Sequence, residues 1–565
     1  MKKLKSILIG GAIALSLTGC NDWLDINVDP NRPTAESVPY QMLLPWCQFY
    51  MGHDYLNTSS NAAMYTGHIL RTSNAREKGA ALWNLGAATR RANTYQWFYV
   101  GVGPNLDNLY EKAMADNAYH YAAASKLIRA YGFMLLTDVF GETPYTEAFG
   151  SAISPKFDTG KTIFIGCLNE IDEAIELFQK EQPATASPLA QGDSWNSGDK
   201  NKWLKFAYLL KARWINHLSK KEAGSYKEGK YDADEILRCL DLAMQSNDEN
   251  TVIRHTDTNG NTHDVLGWNE TVDYSTIFSC VGMNYNFYVT KTYYDNLTNF
   301  MGLGVEDPRA DRFIPWARSQ KSANSPKEIK WTEDGKWRRS LPVDIINSNI
   351  TANSGPFAIS WEPSTNSWYC KTDIKERQGD TIYVQARCSS KGYHSNIDLL
   401  WRAEAGNDAS AMSGIFQVRP DSPTHLGSYW EACFIRAEVL ARKGDAGGAK
   451  EALKKAVKAH MEGVNDQLNK WVSGDASLKN CPSFIPMNQA DIDNYVNNVI
   501  AKAADQNLMG TIMTQKLISE EFMFETWNDF RRHDFDKNVF LEWDKSYEYR
   551  TNPNYQTYCP EGKGP

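Results

Sequence analysis

Residues 429–460 read YWEACFIRAEVLARKGDAGGAKEALKKAVKAH. Apolar residues recur at spacings of three and four on both sides of Lys443-Gly444-Asp445, the period of helices that bury one stripe. The spacing predicts one helix from Tyr429 to Lys443 and a second from Ala446 to His460, folded back across that turn. Small side chains at Ala437, Ala449 and Ala456 let the two helices approach closely, which makes the unit a helical hairpin.

The same period extends through much of the chain. Tyr121, Ala124, Ile128, Tyr131 and Leu135 form one stripe, and Phe164, Leu168, Ile171, Ile175 and Phe178 another. Further helices are predicted over 201–219 and 233–246. The hairpins are tetratricopeptide-like, but unequal loops break any strict repeat. The predicted fold is therefore mainly α: degenerate tetratricopeptide-like helical hairpins form a scaffold, and an irregular loop-rich lobe contains short β-strands. The lobe is placed at 248–428, rich in Gly, Asn, Ser, Thr and Pro, with strand-like runs such as Thr381 to Ala386. A structureless connection of that length is implausible inside a compact chain. The division is a leader at 1–19, a tether at 20–37, the scaffold at 38–247, the lobe at 248–428 and a C-terminal helical part at 429–565 that packs back on the scaffold.

The chain has 565 residues, 60 Lys+Arg against 68 Asp+Glu, and a formal net charge of −8. With no basic block beyond the first five residues, it lacks the face that nucleic-acid phosphates require. Lys2, Lys3 and Lys5 precede the apolar run Ile7 to Leu17 and then Leu17-Thr18-Gly19-Cys20. That run, at about 1.5 Å per residue, is too short for a ~30 Å hydrocarbon core, so it reads as a secretory signal. Leu-x-Gly-Cys looks like a bacterial lipobox, which implies cleavage before Cys20, its acylation, and anchoring through acyl chains alone.

Nine cysteines remain after Cys20, an odd number without a compact framework. Cys167, Cys239 and Cys433 fall inside helical patterns and read as small core hydrophobes. Cys370 and Cys388, flanking a strand-like run, are the one candidate pair. Gly224 to Lys230 matches the start of a phosphate-binding loop, but Tyr231 stands where Ser or Thr is needed and a helix precedes it; it reads as a polar turn. Asp257 to Asn261 has its Gly misplaced for a calcium loop and reads as a solvated Asx-rich turn. His255 and His263 lie nearby, with no second pair to complete a zinc site. Glu520-Glu521 and Asp172-Glu173 read as solvated helix faces or caps. No catalytic constellation emerges, and no metal or cofactor is called for.

Several separated segments together resemble the SusD/RagB-like family of lipid-anchored nutrient-binding proteins of Bacteroidetes outer membranes. They are Asp25-Ile26-Asn27-Val28-Asp29-Pro30-Asn31; Ile128 to Tyr131 with Leu136-Thr137-Asp138-Val139-Phe140-Gly141-Glu142-Thr143-Pro144-Tyr145; Pro155 to Thr159; and Gly198 to Ala207 with Leu210 to Arg213. Glu306-Asp307-Pro308-Arg309, Ala437 to Leu440, and Gln515-Lys516 with Glu525 to Arg532 follow in order. In physical terms these are architectural: Gly141 ends a helix and Pro144 bars re-entry. Lys202, Arg213, Arg531 and Arg532 are expected to pair with carboxylates such as Asp138, Asp199 and Glu525.

The resemblance implies a binding protein that captures a glycan and sits as a lid on a SusC-like TonB-dependent outer-membrane transporter. A sugar presents an apolar face for Trp or Tyr and a hydroxyl rim for Asn, Asp or Arg. The family's ligand loops correspond here to an early loop with Arg71, Asn74, Arg76 and Trp83, and to the lobe with Trp316, Trp361, Trp368, Arg387 and Tyr393. Trp83 and Trp368 rank first because Asn and small residues flank them. Peptide capture is the alternative within the family. A helical-repeat adaptor whose exposed Trp anchor a partner is the alternative outside it, and an enzyme is the least supported reading.

Overall fold

The structure is a computed structural model. It describes residues 37–71, 94–255, 287–314, 422–520 and 522–542, and short pieces at 316–317, 338–339, 359–362, 367–370, 412–413 and 416–418. The scaffold is helical: α1 (Tyr40–Tyr65), α2 (Gly103–Ala115), α3 (Tyr119–Phe140), α4 (Gly160–Gln179), α5 (Lys200–His217) and α6 (Ala233–Leu242). A short α7 (Lys291–Thr298) follows. The hairpin read from residues 429–460 is α8 (Tyr429–Arg442) with α9 (Ala446–Gly474), and α10 (Leu508–Ser519) and α11 (Glu525–Arg532) follow; shorter helical segments lie at Ala310–Phe313, Gln489–Asn494 and Ala501–Gln506.

Local chemistry fixes the helix ends. Side chains of Thr159, Asp199, Asp232, Ser428 and Asp445 accept hydrogen bonds from the free N–H groups of the first turns of α4, α5, α6, α8 and α9. Gly141 ends α3 at φ +81° and Gly444 turns the α8–α9 hairpin at φ +83°, conformations that L side chains rarely adopt. Two boundaries differ from expectation. Helix α9 runs on to Gly474 because Met461, Val464, Leu468, Trp471 and Val472 continue its buried stripe past His460. Helix α6 stops at Leu242, where Ala243 turns extended.

A single hydrophobic cluster joins all these helices. The apolar stripe of α3 packs against α4, and Gly132 lies where a Cβ would sit 1.8 Å from the Phe98 ring. Cys167, Cys239 and Cys433 are buried core residues, as read, and so are Cys47 and Cys481; all five are free thiols. Cys370 lies in a short strand, while Cys388 and the run Thr381 to Ala386 fall outside the described residues.

The lobe is stitched to the scaffold by short antiparallel ladders. β1 (Ile69–Arg71) pairs with β3 (Phe287–Val289), and β2 (Thr251–Ile253) with β9 (Thr424–Gly427), so both ends of the lobe meet. Gly427 fits against Phe206 and Leu209 of α5, where a Cβ would stand 2.7 Å from the Phe206 ring. β4 (Trp316–Ala317) lies between β5 (Arg338–Arg339) and β8 (Met412–Ser413), and β6 (Ile359–Glu362) pairs with β7 (Ser367–Cys370).

Buried charges lock the helices in register: Arg531 faces the expected Asp138 and Glu525, while Arg213 and Arg532 bind other carboxylates. Arg213 on α5 makes a bidentate pair with Glu431 on α8 (Nε–Oε1 2.6 Å, Nη2–Oε2 2.8 Å) and donates to the Leu426 carbonyl at 2.8 Å. Arg532 binds Glu438 and Asp529, and Lys516 reaches Asp529 at 2.9 Å. Glu438 also accepts from Asn216 Nδ2 at 2.9 Å and Arg442 Nε at 3.0 Å. Burial alone raises its carboxyl, but Arg532 and His533 outweigh that and hold it well below the usual range. Asp199 is an N-cap rather than an ion-pair partner. The carboxylates come from α8, whose Glu431 and Glu438 are two turns apart on one face.

Removing one member of such a pair strands a charge in the core, so Arg213→Ala is expected to destabilise by about 3–5 kcal/mol. Gly132→Ala forces a methyl into Phe98 and is expected to cost about 1–3 kcal/mol. Urea unfolding of each variant checks both; a midpoint equal to wild type contradicts the packing described.

Candidate functional site

Where the scaffold meets the ends of the lobe there is a polar groove of about 430 Å³. Lys202 from the first turn of α5 lines it with Asn247 and Asp248, Arg254 just after β2, His425 on β9, and Asp466 and Lys470 on α9. Two amides at its base serve the fold: Asn247 Nδ2 donates to the Ala459 carbonyl at 2.8 Å and Asn250 Oδ1 accepts from Tyr429 N–H at 2.8 Å. Desolvation raises the Asp466 carboxyl above its ordinary value, with Lys470 opposing and Asp248 reinforcing the shift. Three cations and two carboxylates leave the lining close to neutral.

Beside the groove, sharing Pro423, His425 and Gly463 with it, is a smaller half-open cavity of about 80 Å³. Phe313, Phe416, Trp430 and Phe522 supply its apolar wall, and His460 and Glu520 its polar part. The Trp430 ring meets His425 and His460 edge-on at 4.6 and 5.3 Å. Burial lowers His425 to about 4 and His460 well below its usual value, so both rings are neutral near pH 7. Glu520, expected to be solvated, is 1% exposed. It sits at the end of α10, 3.7 Å from Lys516, and burial pushes its carboxyl well up.

A third feature is an aromatic row on α1. Trp46, 48% exposed, meets Tyr50 at 4.5 Å, and Tyr50 meets Trp97 at 5.1 Å. Exposed Met42 lies on α1 and exposed Val100 in the helical turn Trp97–Val102, so these two segments both present apolar side chains to solvent.

The sequence-predicted ligand residues divide between placed and unplaced ones. Arg71 ends β1 opposite Phe287; Trp316 in β4 has Arg339 and Ser413 as strand neighbours; Trp361 of β6 and Trp368 of β7 are direct register partners. Asn74, Arg76, Trp83, Arg387, Tyr393 and the acylation candidate Cys20 lie outside the described residues, as do Asp257 to Asn261 and His263. His255 is buried, with Nε2 3.0 Å from Thr424 Oγ1. The segment Gly224 to Lys230 is the polar turn expected of it: a 3₁₀ turn over Tyr226–Glu228, closed by a bridge between Ala223 and Tyr231. The groove was not read from sequence, because its lining comes from separate segments, none with a motif.

Asp138, His217 and Glu525 bring three ligating atoms within 4.8 Å of one another. Charge pairing accounts for the arrangement: His217 Nε2 is 2.7 Å from Glu525, His217 Nδ1 3.7 Å from Asp138, and Asn528 Nδ2 donates to Asp138 at 2.9 Å. Burial lowers the imidazole pKa, but Glu525 and Asp138 outweigh it and the net shift is upward. Burial raises Asp138 to about 6, with His217 opposing and Glu525 adding to the rise. A raised histidine stabilises the fold fully below its unfolded value and loses that contribution as pH rises through the folded value. His217→Gln is therefore expected to destabilise more at pH 6 than at pH 9 in urea unfolding. A difference that stays constant or grows with pH contradicts the pairing.

A family profile described as starch-binding and associating with the outer membrane, SusD-like, matches residues 30–359. No curated protein matches the chain. Among solved structures, a SusD/RagB family protein of Bacteroides thetaiotaomicron is 19% identical, with TM-score 0.62 over 89% of this chain and 90% of that one. A SusD homologue of Bacteroides fragilis is 18% identical, with TM-score 0.53 over 89% and 88%. A chitin-binding protein is 19% identical, with TM-score 0.51 over 86% of each chain. These likenesses show the fold, a helical scaffold shared across nearly the whole chain, and the profile match over more than half of the sequence shows that the chain belongs to the SusD-like family.

Proposed function

We propose that this protein is a cell-surface lipoprotein that captures oligosaccharide and, as a lid, delivers it to a SusC-like TonB-dependent transporter in the outer membrane. The observation that carries the reading is the family match, whose description is starch binding in association with the outer membrane. The lipobox-like Leu17-Thr18-Gly19-Cys20 supports acyl anchoring at Cys20, after removal of a leader at 1–19, with 20–37 as tether. Among the described residues no helix is long and apolar enough to cross a membrane. The chitin-binding protein among the structural relatives favours a glycan over a peptide.

Capture is assigned to the early loop and the lobe at 248–428, through Arg71, Asn74, Trp83, Trp316, Trp361, Trp368, Arg387 and Tyr393. Aromatic side chains would stack on sugar C–H faces while Asn and Arg bind the hydroxyl rim. The C-terminal helical part at 429–565 packs back on the scaffold under this reading. The process is binding, without bond breaking, so it needs no general acid, nucleophile or cofactor.

A glycan array followed by calorimetry on the protein lacking residues 1–20 tests it. Trp83→Ala and Trp368→Ala are each expected to weaken oligosaccharide binding about tenfold or more, the cost of about 1.4 kcal/mol for a lost anchor, with an unchanged melting temperature. Absence of glycan binding together with co-purified peptides would overturn the glycan assignment.

A further inference from the structure

The polar groove where α5, α9 and the β2–β9 join meet carries five charged side chains that the fold leaves unpaired. Lys202 on α5, Asp248 in the 3₁₀ turn Asn247–Glu249, Arg254 just after β2, and Asp466 and Lys470 on α9 all line it. Among the described residues, none of these five side chains closes an ion pair or a hydrogen bond. Their neighbours do. Lys205, one turn beyond Lys202, binds Glu249, and Lys450, Lys454 and Lys458 on α9 hold Asp505, Glu451 and Asp493. Lys202 has none of the carboxylate partners that the sequence predicts for it. Asp466 and Lys470 stand one turn apart, the spacing that ordinarily pairs such charges on a helix, yet they form no ion pair. With Gly463 and Gln467 they make up one face of α9, so the helical period turns both charges into the groove.

The chemistry narrows the occupant. Three cations against two carboxylates give the lining one net positive charge, on a chain whose formal net charge is −8. A cation excess inside a concave space draws in an anion more strongly than the same charges on an open surface. Arg254 supplies a planar fork suited to a carboxylate, and Lys202 and Lys470 supply point charges. A bare anion does not suffice, because Asp248 and Asp466 would repel it; they require hydroxyl donors. Desolvation raises the Asp466 carboxyl, and although Lys470 opposes the shift Asp248 reinforces it, so the two acids stand close enough to feel each other. Among the described lining residues none is Trp, Tyr or Phe, which leaves no ring on which a neutral sugar face could stack. A ligand with one anionic group and several hydroxyls meets all of these conditions. The volume of about 430 Å³ is in the range of sites that take such a molecule.

We propose that this groove is a second ligand site, one that selects a sugar carrying a carboxylate, as in the uronic-acid units of an acidic oligosaccharide. Lys202, Arg254 and Lys470 attract the carboxylate, and Asp248 and Asp466 accept from ring hydroxyls. The base of the groove is fixed in advance, since Asn247 and Asn250 are already bonded to the Ala459 carbonyl and to Tyr429 N–H. Only the tips of the charged side chains have to be ordered on binding, which limits the entropy lost. The site draws on α5, α9 and the β2–β9 join, and it does not rest on ligand capture by the early-loop and lobe aromatics.

Calorimetry with short oligomers of galacturonate, glucuronate and mannuronate, each compared with its methyl ester, isolates the charge, because the ester keeps the rings, linkages and hydroxyls. The expected result is that at least one acid binds about tenfold or more tighter than its ester, through hydrogen bonds to charged groups. That advantage should shrink as salt is raised from about 50 to about 300 mM, since the cations are open to solvent. Arg254→Gln and Lys470→Gln are each expected to weaken the acid about three- to tenfold, and together to bring it close to its ester. Both side chains are exposed and unpaired, so thermal melting of these variants should match wild type. In a Trp83→Ala/Trp368→Ala background the preference for the acid is expected to persist. Equal affinity for every acid and its ester, a preference indifferent to salt or retained in the Arg254→Gln/Lys470→Gln double variant, or one that vanishes in the tryptophan background would overturn the proposal. None of these outcomes bears on whether the early loop and lobe bind glycan.

Discussion

The pair between Arg213 and Glu431, 218 positions apart in the chain and both essentially excluded from solvent, is the contact on which the rest of the molecule depends. Two buried charges are costly to desolvate and repay that cost only when their geometry is complete. Arg213 makes its bonds to Glu431 and to the Leu426 carbonyl only when α5, α8 and the end of the lobe are all in place. Glu438 imposes the same condition on α5, α8 and α11 through Asn216, Arg442 and Arg532. Arg309 extends it to the lobe side, where it binds Asp307, Gln515, Ser519 and His460. The N-terminal scaffold and the C-terminal helices thus form one interwoven unit, because neither half can satisfy its buried charges alone.

Among the described residues, two short ladders tie this frame to the early loop and the lobe, the parts proposed to capture ligand. β1–β3 ties the start of the early loop to the lobe, and β2–β9 closes the lobe's two ends onto α5. A binding protein of this kind can vary its loops without disturbing the charges beneath. The groove is the exception: its walls are α5, α9 and the β2–β9 join, so its shape is set by the scaffold itself. A site there would be rigid, and a site in the lobe would depend on loop sequence.

Much of the fold was legible in the sequence because helical period is a local signal. The stripes from Tyr121 and Phe164 became α3 and α4 with little change, and Gly141 and Gly444 ended helices as their positions implied. The ion pairs were legible only in part. Arg531 does face Asp138 and Glu525, but the carboxylates named for Arg213 did not include Glu431, a partner fixed only by how α5 and α8 pack. Glu520 looked like half of a solvated acidic pair; it is buried because the end of α10 turns into the aromatic cluster of Phe416, Trp430 and Phe522. The loop aromatics were chosen by family resemblance and composition, and of these the register of Trp361 opposite Trp368 is a pairing no one-dimensional pattern could supply.

Hydrogen–deuterium exchange of the soluble protein, with and without a bound oligosaccharide, tests most directly whether a charge-locked frame carries separate ligand loops. Amides of α5, α8 and α11 should exchange slowest, as one group, and remain unchanged on binding. New protection should fall on peptides carrying Trp83, Trp361 and Trp368. Exchange of the α8–α9 hairpin as an independent, faster unit, or ligand protection spread through the helical core, would contradict that picture.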